Sequence, residues 1–269
     1  MNDAAIGVFD SGMGGLTVMR ALMARLPHER FVYLGDTARL PYGTKSADTV
    51  RRYALQAATA LTARGVKLVV IACNTASVSL AALKDALAPL PVVGVIEPGA
   101  EAALAANPEG PIAIIATEGT VKGGAYVRAI GRRGSVPVVQ QACPLFVPLA
   151  EEGLVEGPIA EAIVHRYLDP LLATVPRPKS LLLGCTHYPV LKKTIARVAG
   201  PEIVLVDSAE TTAAAVEKLL KDEGLEAPAR ASEPPQFLVT DAPDRFARVG
   251  EIFLGEPIDP GTVELVDLQ

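Results

Sequence analysis

The chain has 269 residues, 50% of them hydrophobic, with 25 Lys+Arg against 30 Asp+Glu and a formal net charge of -5. That length suggests about two domains, and the apolar content supplies a full core, which excludes general disorder. No basic stripe is visible, so neither nucleic acid nor an anionic membrane is expected as a partner.

The N-terminal residues Met1-Asn2-Asp3-Ala4-Ala5 lack a basic leader region and run straight into an apolar segment. The uncharged stretch 69–83 is broken by Asn74, Thr75, Ser77 and Ser79, and falls short of the roughly 18 apolar residues of a membrane span. Three cysteines, Cys73, Cys143 and Cys185, make no disulfide framework in a chain of this size. A soluble cytoplasmic protein with free thiols is expected.

Short Val/Ile/Leu runs recur at 4–9, 31–34, 66–71, 92–96, 112–116, 136–140, 181–183 and 203–206. They are continuous rather than alternating, as in strands covered on both faces. Between them lie helical patterns at 16–26, 47–64, 77–87, 159–172, 190–198 and 209–223. The clearest is 47–64, where Ser46 can cap the start and Gly65 the end, and Val50, Tyr53, Ala54, Ala57, Ala58 and Leu61 share one face. Segment 227–235 is the most loop-like. The tail beyond it returns to apolar runs (Phe237-Leu238-Val239, then 263–268) and should pack as structure. This alternation predicts an α/β fold with mainly parallel sheets.

Two segments echo each other. Val69-Val70-Ile71-Ala72-Cys73-Asn74-Thr75 resembles Leu181-Leu182-Leu183-Gly184-Cys185-Thr186, and Ile6 to Gly12 resembles Ile112 to Gly119. The echoes suggest two similar α/β domains with a cleft between them. In open parallel sheets, ligands bind at the carboxyl ends of strands. There the chain places Asp10-Ser11-Gly12-Met13-Gly14-Gly15, Pro41-Tyr42-Gly43-Thr44, Cys73-Asn74-Thr75, Thr117-Glu118-Gly119-Thr120 and Cys185-Thr186-His187-Tyr188-Pro189.

A cysteine at a strand end is often just a small buried residue. Two in matching contexts, each between strand and helix, point to chemistry, because a helix N-terminus favours thiolate. Cys143 lacks that context and is expected in the core. The three cysteines and three histidines show no metal-ligand spacing. His187 can stabilise a thiolate at Cys185 or relay a proton. Asp10 can orient a substrate ammonium group, assist a thiol, or merely cap a turn. The Gly12-Met13-Gly14-Gly15 run fits neither a dinucleotide fingerprint nor a Walker loop, but its N–H groups can hold a carboxylate. Glu151-Glu152 is either a surface acidic pair or a support for His187.

Taken together these motifs resemble the glutamate racemases of the cofactor-independent aspartate/glutamate racemase superfamily. The stretches that carry the likeness are 7–17, 33–37 with Leu40-Pro41-Tyr42-Gly43, 71–76, Gly94-Val95-Ile96-Glu97-Pro98-Gly99 and 183–189. Cys-Thr-His-Tyr-Pro separates them from aspartate-type members. The resemblance implies interconversion of L- and D-glutamate for peptidoglycan, with no cofactor. It implies Cys73 as the base toward D-glutamate and Cys185 toward L-glutamate. Asp10 would assist Cys73, and His187, oriented by Glu151 or Glu152, would assist Cys185. Ser11, Tyr42, Gly43, Asn74, Thr75, Thr117, Thr120 and Thr186 would hold the substrate, beside Asp10 and His187. It also implies discontinuous domains, 1–96 plus 209–269 and 97–208, hinged near Glu97-Pro98 and Asp207-Ser208, and a homodimer. A sister racemase for aspartate or a hydantoin, a solute-binding protein and a thiol redox protein are the rival readings.

Overall fold

The apolar runs assemble into two separate parallel sheets. The computed structural model describes residues 2–229 and 233–268. The chain opens with β1 (Ile6–Asp10), α1 (Leu16–Arg25) and β2 (Phe31–Gly35), then a 3₁₀ turn at Tyr42–Thr44 and α2 (Ala47–Thr62). Next come β3 (Leu68–Ile71), α3 (Asn74–Ser77), α4 (Leu80–Leu87), β4 (Val92–Gly94) and α5 (Ile96–Ala106). The second sheet and its helices follow: β5 (Ile112–Ala116), α6 (Glu118–Gly123), α7 (Ala125–Gly131), β6 (Val138–Ala142), α8 (Phe146–Glu151), α9 (Pro158–Leu172) and β7 (Ser180–Gly184). A 3₁₀ turn at Tyr188–Leu191 leads into α10 (Lys192–Ala199) and β8 (Val204–Asp207). Then α11 (Ser208–Asp222), β9 (Gln236–Val239), α12 (Pro243–Leu254) and β10 (Val263–Leu265) return to the first sheet.

One sheet runs β10-β9-β2-β1-β3-β4 and the other β6-β5-β7-β8, with every pairing parallel. β1 lies between β2 and β3, and β5 between β6 and β7, so the strand order reverses at β1 and at β5. Reversal points open crevices at the carboxyl ends of strands. Each sheet has a core on both faces. Ile6 and Val8 of β1 face the cluster under α1, α11 and α12, while Phe9 faces the cluster under α2. In the second sheet Ile115 and Leu183 face α9 and α10, while Ile114 and Leu182 face α5 and α7. This two-sided cover explains why the strands read as unbroken apolar runs.

Several elements differ from expectation, each for a local reason. The run 92–96 is strand only to Gly94; Ile96-Glu97-Pro98 then opens α5, whose first-turn N–H groups need no intrahelical partner, so Pro98 fits. The expected helix 77–87 is two helices. Ser77 does not cap: its hydroxyl donates to the Ile71 carbonyl (3.0 Å) and accepts from the Val95 amide (3.4 Å), and Cys73 takes the capping place of α3. The pattern 190–198 begins late, because a 3₁₀ turn at Tyr188–Leu191 precedes α10. Helices α5, α6, α7, α8 and α12 carried no prediction; α6, α7 and α8 are each under two turns, too short to show a helical period. Ser46 does cap α2, accepting from the Thr49 amide (3.4 Å). Of the loop-like stretch 227–235, residues 230–232 lie outside the described residues, and the rest forms neither helix nor strand.

At the amino end of β3, opposite the end that leads to Cys73, Lys67 and Glu29 form a buried ion pair at 2.6 Å. The Lys67 ammonium also donates to the carbonyls of Asn2 and Leu225 (both 2.7 Å), and Glu29 accepts from the Ala227 amide (2.8 Å). Removing one partner strands the other as a buried charge. Lys67→Met should therefore cost about 3–5 kcal/mol in urea denaturation. The Lys67→Met/Glu29→Leu double variant should recover most of that loss; equal losses in both would show that the pair is not the source.

Candidate active site

The carboxyl ends of the two sheets meet across a narrow cleft that is partly open to solvent. Ser11, Tyr42, Gly43, Cys73, Asn74 and Thr75 line it from the first sheet, and Thr117, Cys185, Thr186 and His187 from the second.

On the first side, β1 delivers Asp10 into a tight turn. Its Oδ2 accepts from the Gly12 amide (3.0 Å), and burial pushes its carboxyl up, partly opposed by His187 and by the turn amides. A Cβ on Gly15 would sit 2.4 Å from that of Asp10, so only glycine permits this approach. Asp10 thus stands behind the cleft wall, as a turn anchor and as a charge near both thiols.

Cys73 lies two residues beyond β3 and caps the start of α3. Its thiol donates to the Ser11 hydroxyl (3.4 Å), and its sulfur accepts from the Ala76 amide (3.5 Å). Burial, with the Asp10 charge adding to it, pushes the Cys73 thiol up to about 12. Asn74 follows; its Oδ1 accepts from the Tyr126 hydroxyl (2.6 Å), while its buried Nδ2 has no partner among the described residues. Tyr42 offers the cleft little but backbone: its hydroxyl donates to buried Asp36, which also accepts from Arg39 (2.7 Å) and Thr240 (2.9 Å). That network fixes the 3₁₀ turn so that Gly43 abuts Thr117, where a Cβ would lie 2.9 Å away.

On the second side, Cys185 ends β7, with its sulfur 3.9 Å from His187 Nδ1. Burial pushes its thiol up as well, more than the His187 amide lowers it. His187 Nε2 lies 3.2 Å from Glu151 Oε1 on α8, and the other Glu151 oxygen accepts from Arg245 of α12 (2.8 Å). Burial tends to raise the Glu151 carboxyl, but His187 and Arg245 outweigh it and hold it below the usual carboxylate value. Glu152 is exposed, so the geometry selects Glu151 as the histidine's partner. The Phe253 ring meets the imidazole edge-on at 4.9 Å. Cys143 lies fully buried in the core beside Phe146, as its context suggested.

The two sides interlock. Thr17 donates to the Thr186 carbonyl (2.8 Å), and the Thr186 hydroxyl donates to Asp10 Oδ1 (3.4 Å). The hydroxyls of Thr75, Thr117 and Thr120 form a triangle of 2.9, 3.2 and 3.0 Å across the cleft; Thr120 stands behind its wall. A Cβ on Gly14 would lie 2.2 Å from His187 Nδ1. Sequence reasoning missed Arg245, Phe253 and Tyr126, which have no local motif and are recognisable only through their partners; Thr17 lies inside the 7–17 motif, but that motif gives it no role.

One expectation needs correction. Helix N-termini were expected to favour thiolate at both cysteines. α3 is a single turn, and Cys185 is followed by a 3₁₀ turn, so few peptide dipoles align on either sulfur. Desolvation wins and favours the protonated form of both thiols.

Fold and site together define a protein of two parallel sheets in which two buried thiols, one from each sheet, line a single cleft. The model of the Asp/Glu/Hydantoin racemase family matches residues 7–216. The chain is 48% identical to the glutamate racemase of Geobacter metallireducens over 267 residues, 98% of this chain and 97% of the relative. Its fold is similar to the crystal structure of a glutamate racemase isoform from Bacillus anthracis (TM-score 0.93, 35% identity, 100% and 99% of the two chains). It is similar also to the Francisella tularensis glutamate racemase in complex with D-glutamate (TM-score 0.91, 37% identity, 100% and 99%). The chain belongs to the Asp/Glu/Hydantoin racemase family and is an amino-acid racemase, an isomerase. Among the described residues, no helix is long and apolar enough to cross a membrane, and no cluster of three or more His, Cys, Asp or Glu could hold a metal ion.

Two outcomes test this site. Alkylation of Cys73 and Cys185 near pH 7.5 should be at least about tenfold slower than that of free cysteine, whose pKa is about 8.5, and should accelerate as pH rises. Rapid alkylation at neutral pH would contradict the burial argument. Gly14→Ala should cost about 1–3 kcal/mol of stability, because the methyl must displace His187; a neutral change in urea denaturation would contradict the close approach.

Proposed function

We propose that the protein is a glutamate racemase that works through Cys73 and Cys185. The observation that carries this reading is the pair of buried sulfurs lining one cleft from opposite sheets. An α-proton is very weakly acidic, and inversion through a planar carbanion needs a base on one face and an acid on the other. In the L-to-D direction Cys185 first loses its thiol proton to His187, which Glu151 orients. The Cys185 thiolate then takes the α-proton of L-glutamate. The electron pair stays on the α-carbon, and the Cys73 thiol delivers its proton to the opposite face. This leaves D-glutamate, a Cys185 thiol, a Cys73 thiolate and a protonated His187, whose proton must return to Cys73 before the next L-to-D turnover. In the reverse direction Cys73 is the base, with Ser11 and Asp10 beside it. Positioned proton transfer supplies roughly 10²–10⁴-fold, so preorganised dipoles in a dry site must supply most of the remainder.

The substrate is held by Ser11, the backbone at Tyr42 and Gly43, Asn74, Thr75, Thr117 and Thr186. Thr120, Asp10 and Glu151 act from behind as supports. The unpaired Asn74 Nδ2 supports this reading, since a carboxylate oxygen would satisfy it. The reaction calls on no cofactor. The residues 1–96 plus 209–269 and 97–208 form the two domains, and the enzyme acts as a cytoplasmic homodimer supplying D-glutamate to peptidoglycan. The resemblance and the named relatives support these last points.

D-glutamate incubated with the protein in deuterium oxide, without pyridoxal phosphate or added metal, should lose its circular dichroism and gain deuterium at the α-carbon. Aspartate and hydantoins should turn over far more slowly. Cys73→Ser and Cys185→Ser should each reduce racemisation by about 10²–10⁴-fold or more with the far-ultraviolet spectrum unchanged. Full activity in either variant would refute the two-thiol route.

A further inference from the structure

We propose that Arg245 is a positioning residue that, from the side of the six-stranded sheet, fixes the Glu151–His187 pair on which proton transfer at Cys185 depends. This rests on the racemase reading above. α12 packs against α1 and β10 of the six-stranded sheet. Glu151 and His187 belong to α8 and to the loop after β7, beside the other sheet. Two side chains of α12 nonetheless reach them, Arg245 to Glu151 Oε2 (2.8 Å) and Phe253 to the imidazole edge (4.9 Å).

The guanidinium spans two parts of the site. Nη2 donates to Glu151, and Nη1 donates to the sulfur of Met13 (3.9 Å), in the turn that carries Gly14 against His187. Arg245 is 40% exposed, so this ion pair adds little stability. Its effect is on orientation. With one Glu151 oxygen near His187 Nε2 and the other on Arg245, the carboxylate has no free rotation. Without Arg245, the carboxylate is free to turn and the histidine loses its fixed support.

The charge also matters. The groups facing His187 are Cys185 and Thr186 of its own loop, Asp10 from β1, Glu151 from α8 and, through Glu151, Arg245 from α12. Arg245 helps to hold the Glu151 carboxyl down, so removing the cation makes Glu151 easier to protonate. A protonated Glu151 no longer orients the imidazole that accepts the Cys185 proton, and that support is then lost at a higher pH. The acid limb of the L-glutamate profile must move upward.

The test uses the full chain with Arg245→Met and Arg245→Lys. Arg245→Met should lower kcat with L-glutamate about 10- to 100-fold, as expected for a misplaced proton acceptor, with KM nearly unchanged. Its acid limb should move to higher pH, and Arg245→Lys should restore most of both. The chain has three histidines, so NMR can follow the His187 ring signals without substrate. Those signals should change position and broaden in Arg245→Met, as the ring loses its fixed support, and return in Arg245→Lys. Two results would overturn the proposal: His187 signals unchanged in Arg245→Met, or a kcat loss that Lys does not rescue and that accompanies a fall in melting temperature. If the unaltered protein fails to racemise glutamate, the racemase reading fails, and the His187 signals still judge the role of Arg245.

Discussion

Burial of two thiols at the carboxyl ends of facing parallel sheets governs the rest of this molecule. Away from water each sulfur keeps its proton, so neither is a base until a neighbour takes that proton. The surrounding residues answer that requirement. Cys185 has His187 backed by Glu151; Cys73 has the Ser11 hydroxyl, which eases loss of its proton, while the nearby Asp10 charge opposes it. The same dryness gives each dipole around the cleft a strength it would lack in water.

A dry site between two halves demands close seams, and glycine and threonine supply them. Gly14 lets the β1 turn press on His187, and Gly43 lets the 3₁₀ turn press on Thr117. The threonine triangle and the Thr17 contact join the halves by hydrogen bonds between small side chains that lose little entropy on ordering. Behind them, Asp36 collects Tyr42, Arg39 and Thr240 and holds the Tyr42–Thr44 turn in place.

The sequence made the scaffold of this site legible, and less of its support. Strands buried on both faces announce themselves as apolar runs, and the polar segments at their ends are contiguous, so Cys73, Cys185 and their neighbours could be read directly. Helices as short as α6 and α8 leave no periodic trace. Helix α12 has a clear amphipathic face, with Phe246, Val249, Gly250 and Phe253 buried, yet it drew no prediction because the tail was read only for its apolar runs. Arg245 stands 94 residues from Glu151, and no local pattern links the two. The choice between Glu151 and Glu152 turned on where α8 ends, which only the packed structure decides. The charge state of the thiols was misjudged for a related reason: a helix start is visible in sequence, but the depth of burial is not.

The central claim is geometric: a substrate carbon held between two sulfurs. A crystal structure of this protein with D-glutamate bound tests it most directly. The account predicts the Cys73 and Cys185 sulfurs on opposite faces of the α-carbon, each about 3–3.5 Å away in the near-attack range. Both sulfurs on one face, or either one shut off from the α-carbon by protein, would contradict it.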